Sequence, residues 1–261
     1  MILGDINLAY VASGFGVGVL VGMTGVGGGS LMTPVLMLLF GLDARAAVGT
    51  DLLYESLTKT AGSAVHGRRG TVNWTITGRL AAGSIPGALA AVAALYWLGP
   101  TGTRASALIS LVLGAALIVT AGCVFARPLL LRALQAAAPA AVLKHRTATT
   151  VAFGVLLGVL VAISSVGAGA IGMAALVFLY PEEPTARLVG SDIAHAVPLT
   201  LTAGLGHLLL GSIDVVILLS LLLGSIPGTV IGSQVASRVP DIVLRPALAT
   251  TLVLVGIRLL A

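Results

Sequence analysis

Asp51, Glu55, Lys59 and His66 lie in an otherwise apolar stretch, and at about 100° per residue all four fall on one stripe of a helix, together with Thr58 and Gly62. Carboxylates and imidazoles in apolar surroundings can bind and release protons, and a lysine among them sets the local field. Glu55 and Lys59 stand at i and i+4 with the acid first, the better order for an ion pair. A second set, Asp192, His195, Thr200 and His207, occupies a later apolar stretch, where Pro198 is expected to kink the helix. Each set also has a structural reading. Glu55 and Lys59 could simply satisfy one another, Asp51 and Asp192 follow Gly-Thr and Gly-Ser as helix N-caps do, and His66 and His207 could bond to carbonyls rather than relay protons.

Two glycine-rich runs supply a different chemistry. The first contains Gly25, Gly27, Gly28, Gly29 and Ser30, the second Ser164, Ser165, Gly167 and Gly169. Glycine costs roughly 1 kcal/mol in a helix interior relative to alanine, so such clusters favour unwound backbone. Amides freed there, at the start of the next half-helix, bind anions. With the hydroxyls of Thr50 and Ser191 they form the candidate oxyanion site, Asp51, Glu55, Lys59, Asp192, His195, His66 and His207 being the candidates for charge or proton coupling. Close helix packing is the competing explanation for the glycines. The runs lack the Gly-Lys-Ser/Thr ending and flanking strand of a phosphate loop. The chain has neither a Gly-x-Ser-x-Gly elbow nor His-Glu-x-x-His, which leaves a hydrolase without support.

The elements that must carry these residues are membrane helices. Hydrophobic residues make up 57% and charged residues 9% of the 261, and the mean hydropathy is +1.10. The apolar stretches, near 8–40, 46–66, 74–98, 103–125, 147–180, 187–210, 214–237 and 242–260, lack the period-2 alternation of a membrane barrel. Most are about 20 residues or a little longer, enough to cross the hydrocarbon layer. The expected fold is an all-α polytopic membrane protein of about eight transmembrane helices. No basic residue precedes the first apolar run, which is read as a retained helix rather than a signal peptide. The formal charge of +5 resides mainly at helix ends, so it reflects topology and not nucleic-acid binding. One cysteine, Cys123, excludes an internal disulfide and a Cys-rich metal site, and no cofactor or metal is expected.

An internal duplication organises the chain. Gly-Ser-Ile-Pro-Gly occurs at 83–87 and 224–228, and at the same offset Gly49-Thr50-Asp51 answers Gly190-Ser191-Asp192, His66 answers His207, and Gly70-x-Val72-Asn73 answers Gly211-x-Ile213-Asp214. Two homologous halves are expected, 1–125 and 147–261, each with a Gly-rich break in its first segment. Between them lies a linker or interfacial helix, 126–146, whose Arg127, Arg132, Lys144 and Arg146 place it and Arg68-Arg69 on the cytoplasmic side. A duplicated membrane protein with ionisable residues inside its spans points to a transporter with its site between the halves. Rival readings are an ion channel, which would need rings of like charge, and an intramembrane enzyme, which would need a nucleophile beside a base. Gly-rich faces suit packing within one chain or a homodimer equally.

The motif Thr24-Gly-Val-Gly-Gly-Gly-Ser30 followed by Pro34, together with Ala47-Val-Gly-Thr-Asp-Leu-Leu53, His66-Gly-Arg-Arg-Gly-Thr-Val72, Gly190 to Thr200 and both Gly-Ser-Ile-Pro-Gly phrases, resembles the TauE/SafE family of sulfite-exporter-like permeases over nearly the whole chain. The resemblance implies a multi-pass permease of the bacterial cytoplasmic membrane. Its implied substrates are small sulfur-containing or organic anions such as sulfite, sulfoacetate and other sulfonates. The second glycine run departs from the first, with Val166-Gly-Ala-Gly-Ala170 in place of Val26-Gly-Gly-Gly-Ser30.

Overall fold

The computed structural model describes residues 7–24, 29–99, 103–126, 145–211, 213–235 and 241–260. The described residues form ten helices and no strand: α1 (Leu8–Thr24), α2 (Gly29–Leu38), α3 (Ala44–Arg68), α4 (Trp74–Trp97), α5 (Thr103–Phe125), α6 (Arg146–Ser164), α7 (Ala170–Leu179), α8 (Thr185–Leu209), α9 (Val215–Val235) and α10 (Asp241–Leu260). The apolar segments expected at 8–40 and 147–180 therefore each hold two helices. The first interruption, with Gly25, Gly27 and Gly28, lies outside the described residues, as does 127–144 of the linker. Five helices, α4, α5, α6, α8 and α9, are long and apolar enough to cross a membrane. Helix α3 has the length, 25 residues or roughly 37 Å, but carries the charged stripe. With ten residues each, α2 and α7 reach only about 15 Å, half the hydrocarbon layer.

The repeated Gly-x-Val/Ile-Asn/Asp element is a helix-to-helix turn. Gly70 and Gly211 take φ of 66° and 70°, the left-handed conformation that ends a helix with no Cβ penalty. Three residues later the cap forms. Asn73 Oδ1 accepts from the N–H of Thr75 (3.1 Å) and Ile76 (3.3 Å), and Asp214 Oδ1 from Val216 (2.8 Å) and Ile217 (3.2 Å). Helix α8 runs unbroken through Pro198, where a kink is expected from the sequence. Thr202 Oγ1 donates to the Pro198 carbonyl there, 2.7 Å away.

Glycines bring helix pairs into backbone contact. A Cβ on Gly14, Gly18 or Gly22 of α1 would run into the carbonyl oxygens of Leu221, Ser225 and Thr229 of α9, while Gly224, Gly228 and Gly232 press back on Val11, Phe15 and Val19. The same arrangement joins α4 to α6, with Gly83 and Gly87 against Val151 and Val155, and Gly154 and Gly158 against Leu80 and Ser84. So the glycines of each Gly-Ser-Ile-Pro-Gly phrase serve the approach of a partner helix, as small residues do wherever membrane helices cross closely.

These pairings fix directions. Numbers rise together across α1–α9 and α4–α6, so those pairs are parallel. They run oppositely across α3–α8, where Gly49 meets His207, Gly204 meets Leu53 and Gly62 meets Ile193, and across α5–α10, where Gly114 meets Leu260 and Gly256 meets Ile118. Helix α3 is parallel to α9, since Gly49 touches Ile213 and Tyr54 touches Ser225. Helices α2 and α3, joined by residues 39–43, form an antiparallel hairpin in which Thr33 meets Asp51, and Gly172 meets Asp192 in the corresponding hairpin of α7 and α8. It follows that α2 points opposite to α1 and α7 opposite to α6. Between these pairs lie apolar clusters, one including Met32, Leu36, Leu113, Leu117 and Leu221, another Leu52, Ile109, Leu157, Val161 and Leu199.

Candidate functional site

The second break is a compact loop that its sequence makes possible. Ser165 closes α6 at φ 58°, a conformation unusual for a residue with a side chain, and its N–H donates to Val161 O at 2.7 Å. Gly167 and Gly169 follow at φ 125° and 151°, where any Cβ would be strained. Ser164 Oγ donates to Leu160 O (2.7 Å) and accepts from Val166 N–H (3.2 Å), holding the turn from within. Helix α7 then starts without a side-chain cap; its Gly172 N–H donates to Gly167 O at 3.0 Å, and its positive dipole end faces the break.

Helix α2 begins at the same point. A Cβ on Gly29 would overlap the carbonyl oxygen of Ser165, so the start of α2 and the second break touch backbone to backbone. Beside this contact is a small cavity with room for roughly one water molecule. Ser30, Glu55, Thr120 and the loop from Ser165 to Ala170 line it.

The charged stripe of α3 borders the same space. Lys59 Nζ lies 2.8 Å from Glu55 Oε1 and donates to the Ala168 carbonyl at 2.9 Å, tying the stripe to the break. The Asp51 carboxylate accepts from Thr33 Oγ1 of α2. Among the described residues Asp51 Oδ1, Glu55 Oε2, Ser165 Oγ and Thr120 Oγ1 are buried without a hydrogen-bond partner. Unsatisfied polar atoms are costly in the interior, and three of these, on Glu55, Ser165 and Thr120, line the one cavity, with Asp51 behind Ser165. Asp51 and Asp192 are not helix caps: Asp43 and Pro184 hold those positions, about two turns earlier.

The other expected site residues divide. Asp192 is buried against Gly172, with Oδ1 unpaired among the described residues, and Lys59 and Glu55 are the charged groups acting on it. His195 Nε2 meets Ser84 Oγ at 2.7 Å, and His207 Nε2 donates to Ala162 O at 2.9 Å. The Ser191 hydroxyl donates to Arg187 O (2.7 Å) and accepts from Asn73 N–H (2.8 Å), fastening α8 to α4 away from the cavity. His66 Nδ1 lies 2.8 Å from Thr71 Oγ1 at the helix end. Thr50 is fully buried with its hydroxyl unpaired among the described residues, and is not in the cavity wall.

Five residues escaped the sequence reading: Thr33, Tyr54, Ser84, Thr120 and Ser225. Three of them carried a signal. Tyr54 and His195 occupy equivalent positions of the duplication, and so do Ser84 and Ser225, the serines of the repeated phrase. Tyr54 OH bonds Ser225 Oγ as His195 bonds Ser84, so each phrase offers its serine to the opposite polar helix. Thr33 and Thr120 stand in apolar runs without any periodic cue.

Comparisons with known proteins agree with the motifs. The sequence model of the family described as sulfite exporter TauE/SafE matches residues 10–259. The chain is 36% identical over 212 residues to the probable membrane transporter protein YjnA of Bacillus subtilis (strain 168), covering 81% of this chain and 83% of that one. It is 26% identical over 250 residues to the probable membrane transporter protein YdhB of the same organism, covering 94% and 97%. A shorter match, 45% over 64 residues, joins it to the probable membrane transporter protein YunE, with 24% of this chain and 23% of that one covered. No solved structure matches. Apolar helices fit to span a bilayer, the start of α2 meeting the second glycine break beside a buried polar cavity, and a match from residue 10 to 259 lead to one conclusion: this multi-pass membrane protein belongs to the sulfite exporter TauE/SafE family.

Proposed function

We propose that the chain is a membrane transporter that carries small oxyanions, sulfonates and related carboxylates, through the cavity between the breaks. The observation that carries this reading is the meeting of Gly29 with the Ser165–Gly169 loop beside Lys59. At that point the start of α2 and the start of α7 present helix N-termini, and Lys59 supplies a positive charge, a combination suited to an oxyanion stripped of water. Gly167, Gly169, Ser30, Ser164 and Ser165 form the described part of the binding loops. Gly25, Gly27 and Gly28 complete the first loop in this reading. Asp51, Glu55, Lys59 and Asp192 set the charge or exchange protons, with His195 held behind them by Ser84.

The moving parts follow from the packing. In this reading, residues 1–125 and 147–261 are two repeats of inverted topology, joined by a cytoplasmic linker at 126–146. Antiparallel contact between duplicate helices, α3 with α8 and α5 with α10, supports inversion, because a two-fold axis lying in the membrane reverses every equivalent span. The reversals from α1 to α2 and from α6 to α7 make α2 and α7 re-entrant. Charge supports the orientation. Arg68, Arg69, Arg79, Arg127, Arg132, Lys144, Arg146, Arg187, Arg238 and Arg245 then fall toward one side, and Arg45, Arg104 and Arg258 toward the other, which assigns the first side to the cytoplasm of a bacterial inner membrane. The backbone-packed pairs α1–α9 and α4–α6 move as rigid bodies about the α3–α8 contact, opening the cavity to one side and then the other.

The test is counterflow in proteoliposomes. Labelled sulfite, sulfoacetate, methanesulfonate and acetate are offered to the wild type and to Ser165→Ala, which removes a hydroxyl from the cavity wall without adding a β-branch at its positive φ. Saturable exchange of at least one anion, weakened about tenfold or more in the variant, is expected. Folded protein that exchanges none of them overturns the proposal.

A further inference from the structure

Resting on the anion-transport reading, the balance of charge around the cavity fixes the sign of its coupling. Helix α3 presents two carboxylates and one ammonium at i, i+4 and i+8, all in its buried middle. Lys59 is already committed, to Glu55 at 2.8 Å and to the Ala168 carbonyl at 2.9 Å. Asp51, one turn from Glu55, and Asp192 of α8 are the buried carboxylates without an ion pair among the described residues, and Asp51 is the one that faces Ser165 of the break. Its partner is a neutral hydroxyl, Thr33 of α2, and its other oxygen has no partner among the described residues. The break contributes Ser165, α3 itself contributes Tyr54, Glu55 and Lys59, α5 contributes Thr120 to the shared cavity, and Asp192 and His195 of α8 connect to the stripe through Lys59.

An anion entering this cavity adds negative charge beside the carboxylates of Asp51, Glu55 and Asp192, opposite a single ammonium among the described residues. Protonating Asp51 restores the balance at the least structural cost, since Thr33 can stay in place and the carboxyl also faces Ser165, which lines the cavity. We infer that Asp51 takes up one proton as the anion binds, so that anion and proton cross together in the same direction. Binding couplings are reciprocal: an anion that raises proton affinity must itself bind better when the proton is present. Under an inward proton gradient the coupled direction is uptake.

The experiment measures protons and anion together on the full-length chain. Methanesulfonate and sulfoacetate, both fully ionised near neutral pH, are added to purified protein in weak buffer containing a soluble pH dye, and anion binding is followed separately with the labelled compounds. At a pH alkaline enough for Asp51 to be ionised before the anion arrives, the wild type is expected to take up about one proton per anion bound, with Kd rising about tenfold per pH unit across that range. In Asp51→Asn, whose amide imitates the protonated acid, the anion should bind without proton uptake and with a flat pH profile, while Asp51→Glu should restore the uptake. Proton release, binding without uptake in the wild type, or uptake that survives in Asp51→Asn would each overturn the inference while leaving anion transport standing. Failure of both anions to bind folded protein would remove the anion reading, and this inference with it. A second measurement is independent of any variant. In vesicles, a monovalent sulfonate moving with one proton is electroneutral, so methanesulfonate flux should follow a pH gradient and ignore a potassium-diffusion potential; flux driven by the potential alone refutes co-transport.

Discussion

Removing the charge of Lys59 is the most direct way to test whether the cavity is held together electrostatically. The ion pair with Glu55 is 2.8 Å long, and the two side chains are 12% and 2% exposed, so little solvent screens it. At that separation and an effective dielectric constant near 20 the attraction is roughly 6 kcal/mol, from which desolvation of both groups must be subtracted. Lys59→Met leaves the desolvation of Glu55 in place and deletes the attraction; it also takes a donor from the Ala168 carbonyl. Breaking a buried pair in this way costs about 3–5 kcal/mol, whereas replacing both partners by neutral groups is often close to neutral. Lys59→Met should therefore unfold several kcal/mol more easily than wild type, and the double variant Glu55→Gln/Lys59→Met should recover most of the loss. Cys123 makes the assay simple. It is the sole cysteine of the chain and half-buried, so a thiol-reactive dye reports unfolding without background. If Lys59→Met lies within about 1 kcal/mol of wild type, or the double variant is no better than the single, the argument for a low-dielectric ion pair fails.

Other perturbations separate packing from chemistry. Gly83→Ala sets a Cβ against the Val151 carbonyl and should cost about 1–3 kcal/mol, while Gly78→Ala in the same helix meets nothing within 4 Å and should be neutral or stabilising by up to about 1 kcal/mol; equal responses in thermal unfolding would refute the close α4–α6 approach. Ser84→Ala strands His195, whose Nδ1 already lacks a partner among the described residues, and should destabilise by about 1–3 kcal/mol, read by the same dye. In a Cys123→Ser background, Leu39→Cys should react with an impermeant maleimide from outside and Arg69→Cys only from the cytoplasm, both positions being exposed; the same sidedness for both would break the inverted topology. Burial tends to raise the pKa of Asp43, but the hydrogen bonds from Ser106 and from Arg45 N–H, with the adjacent guanidinium, hold it below the usual carboxylate range. A depressed folded-state pKa contributes stability above the unfolded value of 3.8 that disappears as pH falls through the folded one, so Asp43→Asn should be less stable than wild type near neutrality and equal to it in strong acid.

The polar stripe of α3 was legible because helical period is a local property: Asp51, Glu55 and Lys59 fall on one face whatever surrounds them. The second break was legible for the same reason, since glycine clusters disfavour helix regardless of context. Which element it would meet was not, because the contact of Gly29 with Ser165 joins positions far apart in the chain. The Gly-Ser-Ile-Pro-Gly phrase was legible as a mark of duplication but not in its role: its glycines admit a neighbouring backbone and its serine ties down Tyr54 or His195. Ser191 shows the opposite error. A hydroxyl beside Asp192 looked available for a ligand, yet it is consumed by Arg187 and Asn73. Sequence pattern reports which face a side chain occupies; whether its valences are already filled depends on partners the pattern does not name.

The embrace of α1 by α9 has a cost paid during synthesis. The ribosome must make about 190 residues between the end of α1 and the start of its partner, which at roughly 5–20 residues per second takes about 10–40 s. For that interval a helix with three glycines on one side sits in lipid with its backbone unguarded, while α4 and α6 can already close on each other. Folding therefore finishes where it began, with the oldest helix accepting the second-youngest. A chain truncated anywhere before residue 215 leaves α1 permanently without its mate, and gives membrane quality control an exposed glycine seam by which to recognise an unfinished molecule.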